Sequence, residues 1–352
     1  MRIRYYDWLE AVAVFLVCSV HQVWLRGTVG ASISMSIVPM AVPLFFMVHG
    51  ALLLSKEASA KKQIKRFARV LVQLYFWNTV YLVVSVLSGL TGIEEITPGF
   101  LFHYYFSKWD SSGITSGHLW FIYALLVVYC LYPVLDICRK HNEKVLKYIA
   151  VVCFIWSFVR SQFLVYLNFF CEQVFGKSLL TEWVVSEIGC YFNSVCYFIL
   201  GYYLVQWINS CAYLKQNKRM SMLYAVLGVL AGIALLMLER YVVFGTVKYN
   251  WKPLPDQYQK FGTLILAVST FVLFSLIDFP DNRAYAVAKT ISLHSLDIYY
   301  IHVIYAKLFR VYLYSYDLSG VWQNYLRAAV VLILSFLTGQ ILRRIPGVKR
   351  LL

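Results

Sequence analysis

The residues best suited to chemistry stand at the two ends of one apolar run. In DWLEAVAVFLVCSVH, residues 7–21, the acids Asp7 and Glu10 lie near the start and His21 closes the stretch. Eleven residues carry a helix to within about 20° of three full turns, so Glu10 and His21 share a face, with Asp7 near the same stripe. At ~1.5 Å rise per residue they stand roughly 16 Å apart along the axis, and they serve two different depths. An imidazole can take a proton from a hydroxyl near neutral pH, which makes His21 a candidate general base. His118 opens GHLWFIYALL and His302 lies within SLDIYYIHVIY, each at the outer end of its own apolar run. Three histidines at one depth on three helices predict a cluster. The alternative for each is an interfacial histidine bonded to a neighbouring helix. No HxxxH-type spacing joins them, so no metal site is expected.

A second candidate constellation is basic. In SKEASAKKQIKRFARV, residues 55–70, Lys62, Lys65, Arg66 and Arg69 recur at three- and four-residue steps and share a helical face. Such a face can grip the phosphates of an anionic ligand. It can equally mark membrane orientation and touch acidic lipid headgroups, and both readings stay open. His49, in VPLFFMVHGALLLS, sits between Pro43 and Gly50, residues that can loosen or kink a helix. The expected role of this histidine is a bond to a backbone carbonyl exposed by that kink.

The elements that position these groups follow from composition. Hydrophobic residues make up 61% of the 352-residue chain and charged residues 14%, which excludes a soluble domain and implies a polytopic membrane protein. Ten apolar stretches are candidate spans: roughly 6–25, 34–54, 70–90, 118–138, 146–166, 187–208, 221–238, 258–277, 290–309 and 325–342. Only helices can satisfy the backbone in lipid at these lengths, so the expected fold is an all-α bundle forming a single domain over residues 1–352. Most of the 32 lysines and arginines fall in alternate connecting segments, which predicts that both termini are cytoplasmic. The same placement explains the net charge of +15 without a nucleic-acid partner. Outward segments carry acids and aromatics, as in EEITPGFLFHYYFSKWDSSG. Their Tyr104, Tyr105 and Trp109, with Trp120, suit either sugar stacking or an interfacial belt, and the belt is the favoured reading for most of them. The eight cysteines show no CxxC spacing and read as packing residues, with Cys171 and Cys190 the one conceivable pair.

Five of these segments, in this order, resemble acyltransferase family 3, a family of integral membrane proteins: YYDWLEAVAVFLVCSVH, VPLFFMVHGALLL, RFAR, HLWFIYALLVVYCLYPVL and SLDIYYIHVI. The nearest likeness is to stand-alone O-acetyltransferases of surface polysaccharides. The resemblance implies transfer of an acyl group, usually acetyl from cytoplasmic acetyl-CoA, to a hydroxyl of a cell-envelope sugar, polysaccharide or lipid-linked sugar, at the plasma membrane. No bound cofactor is implied, since the acyl-CoA is a co-substrate. By the same resemblance His21 matches the histidine of the family's R-x(10)-H motif and is the expected catalytic residue, and Arg66 and Arg69 match the RxxR pair near the donor. Lys65 and His49 are expected beside them on the donor path, and His118, Trp120 and His302 on the acceptor side. Two positions depart from the family. Glu10 stands where the motif has arginine, and its carboxylate could pair with Arg66 or Arg69 or suit the first turn of the helix. His49 stands where serine usually precedes the glycine. A donor site rebuilt around Glu10 and His49 is one consequence. The other is a relative that has lost transfer and transports a lipid-linked sugar, polysaccharide or acyl metabolite.

Overall fold

The computed structural model describes residues 3–22, 27–57, 59–89, 91–106, 117–176, 188–250, 254, 257–313, 320–348 and 351. Every regular element among them is helical. The α-helices are α1 (Arg4–Val20), α2 (Val29–Ile37), α3 (Ala41–Leu53), α4 (Ala60–Leu87), α5 (Pro98–Phe106), α6 (Trp120–His141), α7 (Glu143–Phe154) and α8 (Arg160–Phe175). They continue as α9 (Ile188–Ser210), α10 (Ala212–Gln216), α11 (Lys218–Phe244), α12 (Phe261–Leu276), α13 (Arg283–Leu293), α14 (Ser295–Leu313) and α15 (Val321–Leu342). A helix occupies each of the ten expected stretches. Among the described residues, six helices are long and apolar enough to cross a membrane: Val29–Leu53, Lys61–Leu87, Gly117–His141, Glu143–Phe175, Lys218–Phe244 and Val321–Leu342. Phe261–Leu276 is a shorter apolar helix.

The helix that carries Glu10 and His21 is the centre of the bundle. Leu9, Ala13, Val14 and Cys18 of α1 have no exposed surface, as befits a helix that is apolar on nearly every side. It packs against α3, α13, α14 and α15. Helix α13 begins between two of the expected spans, over residues 283–289, and runs into the start of the next, 290–309. Asn282 caps its N-terminus by accepting from Tyr285 N, the ordinary device for the first unpaired amides of a helix.

Lipid offers little hydrophobic drive to join helices, so close backbone approach does the work instead. A Cβ at Gly50 would overlap the backbone carbonyl of Phe198, and one at Gly201 would overlap the backbone of Met47. The two glycines therefore let α3 and α9 touch backbone to backbone. Gly232 and Gly262 do the same for α11 and α12. This corrects the expectation for Gly50: α3 runs unbroken through Pro43 and Gly50, because Gly50 removes side-chain bulk at a crossing rather than loosening the helix. Cys171 is buried, and the side chain of Cys190 lies outside the described residues.

A charged cluster fixes α14 to the end of α15. Asp297 of α14 is almost fully buried and receives Arg343 through two bonds, Nε to Oδ2 at 2.7 Å and the terminal nitrogen to Oδ1 at 2.9 Å. His294 Nδ1 lies 2.9 Å from the same Oδ2. Such a forked, charge-assisted contact clasps α14 to the end of α15.

Candidate functional site

The three histidines meet. His21 follows the last residue of α1, His118 stands in the 3-10 turn Gly117–Leu119 that leads into α6, and His302 faces inward from α14. Ring centroids are 5.0 Å apart for His21 and His302, 5.5 Å for His118 and His302, and 6.2 Å for His21 and His118. Among the described residues no group of three or more histidine, cysteine or acidic side chains is arranged to hold a metal ion.

Hydrogen bonds assign the state of one ring. His302 Nδ1 lies 2.6 Å from the carbonyl oxygen of Tyr299. A carbonyl only accepts, so Nδ1 carries a proton and, in the neutral ring, Nε2 presents a lone pair. That Nε2 is fully buried and has no hydrogen-bond partner among the described residues, which is costly unless something else approaches it. His21 is partly exposed while His302 is fully buried. Arg310, one turn past Ala306 on α14, donates to the His21 carbonyl at 3.4 Å and brings positive charge to the same end.

Two tyrosines hold His118. Tyr81 of α4 meets its ring edge-on with centroids 4.7 Å apart, and anchors itself by donating to the Tyr300 carbonyl at 2.7 Å. Tyr299 donates to the His118 carbonyl, and its ring lies 5.7 Å from both His118 and His302. Tyr299 was visible in the motif SLDIYYIHVI, but Tyr81 sits in a plain apolar run and no spacing rule singles it out. Trp120, one residue beyond the turn, packs on Tyr258 with centroids 4.9 Å apart. Tyr104 donates to the Asn78 carbonyl at 2.8 Å, and Tyr105 shares a 2.8 Å hydroxyl contact with Thr79. Both tyrosines are thus tied to α4. Trp109 lies outside the described residues.

The inner candidates gather less evenly. Arg66 is partly buried, with its guanidinium 5.5 Å from the centre of the Tyr129 ring on α6, and it donates to Gln63 at 3.0 Å. His49 lies 6.4 Å from the same ring, centroid to centroid, and its Nδ1 donates to the Phe45 carbonyl at 2.9 Å. The carbonyl bond expected of His49 is present, although it lies within one turn of an intact helix rather than at a kink. Lys62, Lys65 and Arg69 are exposed. The shared basic face is therefore split: Arg66 and Arg69 differ by about 60° around the helix, enough to turn one toward the bundle and the other away from it.

Glu10 is bonded to α13. Its Oε2 accepts from Ser292 Oγ at 2.5 Å, and the same hydroxyl lies 3.0 Å from Asp7 Oδ1. Tyr285 donates to Asp7 Oδ2 at 2.9 Å. Both acids of α1 are thus met by α13, because α13 packs along that flank of α1 while Arg66 is drawn to Tyr129. Arg66 and His49 both lie against Tyr129, which makes this tyrosine the meeting point of those two groups. Nothing in its spacing announced it.

A family model described as an acyltransferase domain matches residues 3–344, nearly the whole chain. No curated protein matches, and no solved structure does.

Proposed function

The chain belongs to this acyltransferase family, and from that premise we propose that it carries an acyl group, acetyl in the first instance, from cytoplasmic acyl-CoA to a hydroxyl of a cell-envelope sugar or polysaccharide. In this reading all ten helical stretches span the plasma membrane and both termini are cytoplasmic. The observation that carries it is the convergence of His21, His118 and His302 at one end of the bundle, with Arg66 and His49 beside Tyr129 toward the other.

The chemistry runs as follows. His21 takes the proton of the acceptor hydroxyl as its oxygen attacks the thioester carbonyl carbon. The tetrahedral intermediate collapses with cleavage of the C–S bond, and the leaving thiolate takes a proton to give CoA. The lone pair of His302 Nε2 accepts from the His21 imidazolium as it forms, which makes His302 a positioning residue. His118 borders the acceptor. Arg66 contacts the phosphates of the donor, with Lys65 and Arg69 adding diffuse positive charge at the entrance. The pantetheine arm spans the roughly 16 Å between the Glu10 and His21 levels.

A specific observation favours a second reading. Glu10 replaces the family arginine and is bonded to Ser292, so the donor site would lack one expected positive charge. A relative that transports a lipid-linked sugar, polysaccharide or acyl metabolite fits that loss. Incubating membranes that contain the protein with radiolabelled acetyl-CoA and an envelope extract separates the two. Label in the carbohydrate fraction is expected of the acyltransferase, and its absence alongside protein-dependent uptake of the sugar would favour the transporter.

A further inference from the structure

The segment Gln257–Lys260 is fastened by neighbouring helices. Thr263 Oγ1 donates to the Gln257 carbonyl at 2.6 Å, and Tyr197 of α9 donates to the Tyr258 carbonyl at 3.1 Å. Gln259 is buried, and Lys260 is fully buried against Glu239 at 3.0 Å. Gln162 of α8 ties the same corner, donating to Glu239 at 2.9 Å and accepting from Phe261 N at 3.4 Å. Four helices thus hold a short turn whose one partly exposed ring is Tyr258.

That ring is placed where an acceptor would lie. Tyr258 contacts Trp120, also partly exposed, with ring planes 40° apart. The rings touch, so they make a bent surface rather than a slot, and a ligand would lie across them. Of the two, Trp120 follows His118 by two residues, and the His118 carbonyl accepts from Tyr299, the ring that touches both His118 and His302. One residue along the chain from Tyr258, Gln259 Oε1 is buried with no hydrogen-bond partner among the described residues. An apolar platform with a few polar groups at its edge is the usual composition of a small-ligand site. Pyranose rings suit it, because one face of the ring presents C–H groups and the rim presents hydroxyls.

We propose that Trp120 and Tyr258 form a carbohydrate platform that receives the face of a pyranose ring, with Gln259 Oε1 accepting from one of its hydroxyls. This rests on the reading of an outward sugar acceptor and assigns it two specificity residues. Merely interfacial aromatics would anchor the helix ends and show no preference among solutes.

Saturation-transfer NMR tests this on the full chain in lipid nanodiscs free of maltoside detergent. The probes are methyl glucopyranoside and methyl mannopyranoside, with the acyclic polyol mannitol as a control of similar polarity. The pyranosides are expected to receive saturation and mannitol little. Affinity should fall about tenfold in Tyr258→Ala and in Trp120→Ala, the loss of one aromatic contact, and persist in Tyr258→Phe. If Tyr258→Ala does not fold, Trp120→Ala and Tyr258→Phe decide the matter. Equal saturation of mannitol, or pyranoside binding that both alanine variants retain, overturns the platform. Acyl transfer measured on the same preparations separates the claims. Transfer without aromatic-dependent sugar binding refutes only the platform, and such binding without transfer refutes only the enzyme.

Discussion

The buried ion pair behind Tyr258 permits the sharpest energetic prediction. Glu239 and Lys260 lie 3.0 Å apart with side chains 3% and 0% exposed, and the ammonium sits off the hydrogen-bonding direction. Lys260→Met keeps the length of the chain and removes the charge, leaving a buried carboxylate with the Gln162 amide as its remaining donor. Breaking a buried pair from one side costs about 3–5 kcal/mol, whereas replacing both partners by apolar groups of similar volume is near neutral or stabilising. Lys260→Met and Glu239→Leu should therefore each destabilise by about 3–5 kcal/mol, and the double variant should stand within about 1 kcal/mol of the parent. Unfolding titrations in mixed micelles, followed by tryptophan fluorescence on all four proteins, give the coupling energy. Single losses below about 1 kcal/mol, or additive losses in the double variant, would refute the pairing and with it the anchoring of residues 257–260.

Other consequences follow from the same geometry. Arg66→Ala should weaken CoA binding about tenfold while Lys65→Ala, at an exposed position, changes it by less than threefold; isothermal titration with CoA, and with a pantetheine thioester lacking the nucleotide, checks whether phosphate is the contact. Gly201→Val places a side chain into the backbone of Met47 and should abolish a monodisperse peak in size-exclusion chromatography. Gly30→Ala, whose nearest neighbour is a Val321 methyl at 3.3 Å, should leave that peak in place. Asp297→Asn removes the charge under the Arg343 fork and should cost about 1.5–3 kcal/mol in the same unfolding titration.

What the sequence revealed was mostly local or periodic. The eleven-residue step from Glu10 to His21 is a matter of helix geometry, and so is the equal depth of His118 and His302 in their spans. Ionisable groups are scarce within apolar runs, so these few stood out, and the structure brings the three histidines together. The partners did not stand out. Ser292 meets Glu10 across 282 positions, and Tyr81 reaches the Tyr300 carbonyl across 219. A serine or tyrosine in an apolar run carries no mark of such a contact. The start of helix α13 was missed because a short amphipathic helix between spans has the composition of a polar connector. Gly50 was misread for a related reason. A glycine that admits a neighbouring backbone and a glycine that loosens a helix are identical in sequence, and only the position of Phe198 tells them apart. Tyr258 belongs to the same class, since its setting is made by α8, α9, α11 and α12 together.

The most direct test of the central claim is release of CoA from acetyl-CoA by the purified protein, with and without envelope extract, for the parent chain, His21→Ala and His302→Gln. The account predicts release that requires the extract, falls by a factor on the order of 100 or more in His21→Ala, and falls less in His302→Gln with the KM for acetyl-CoA unchanged. Release that proceeds equally in His21→Ala, or no release from the parent chain under conditions where it takes up the envelope sugar, would contradict it.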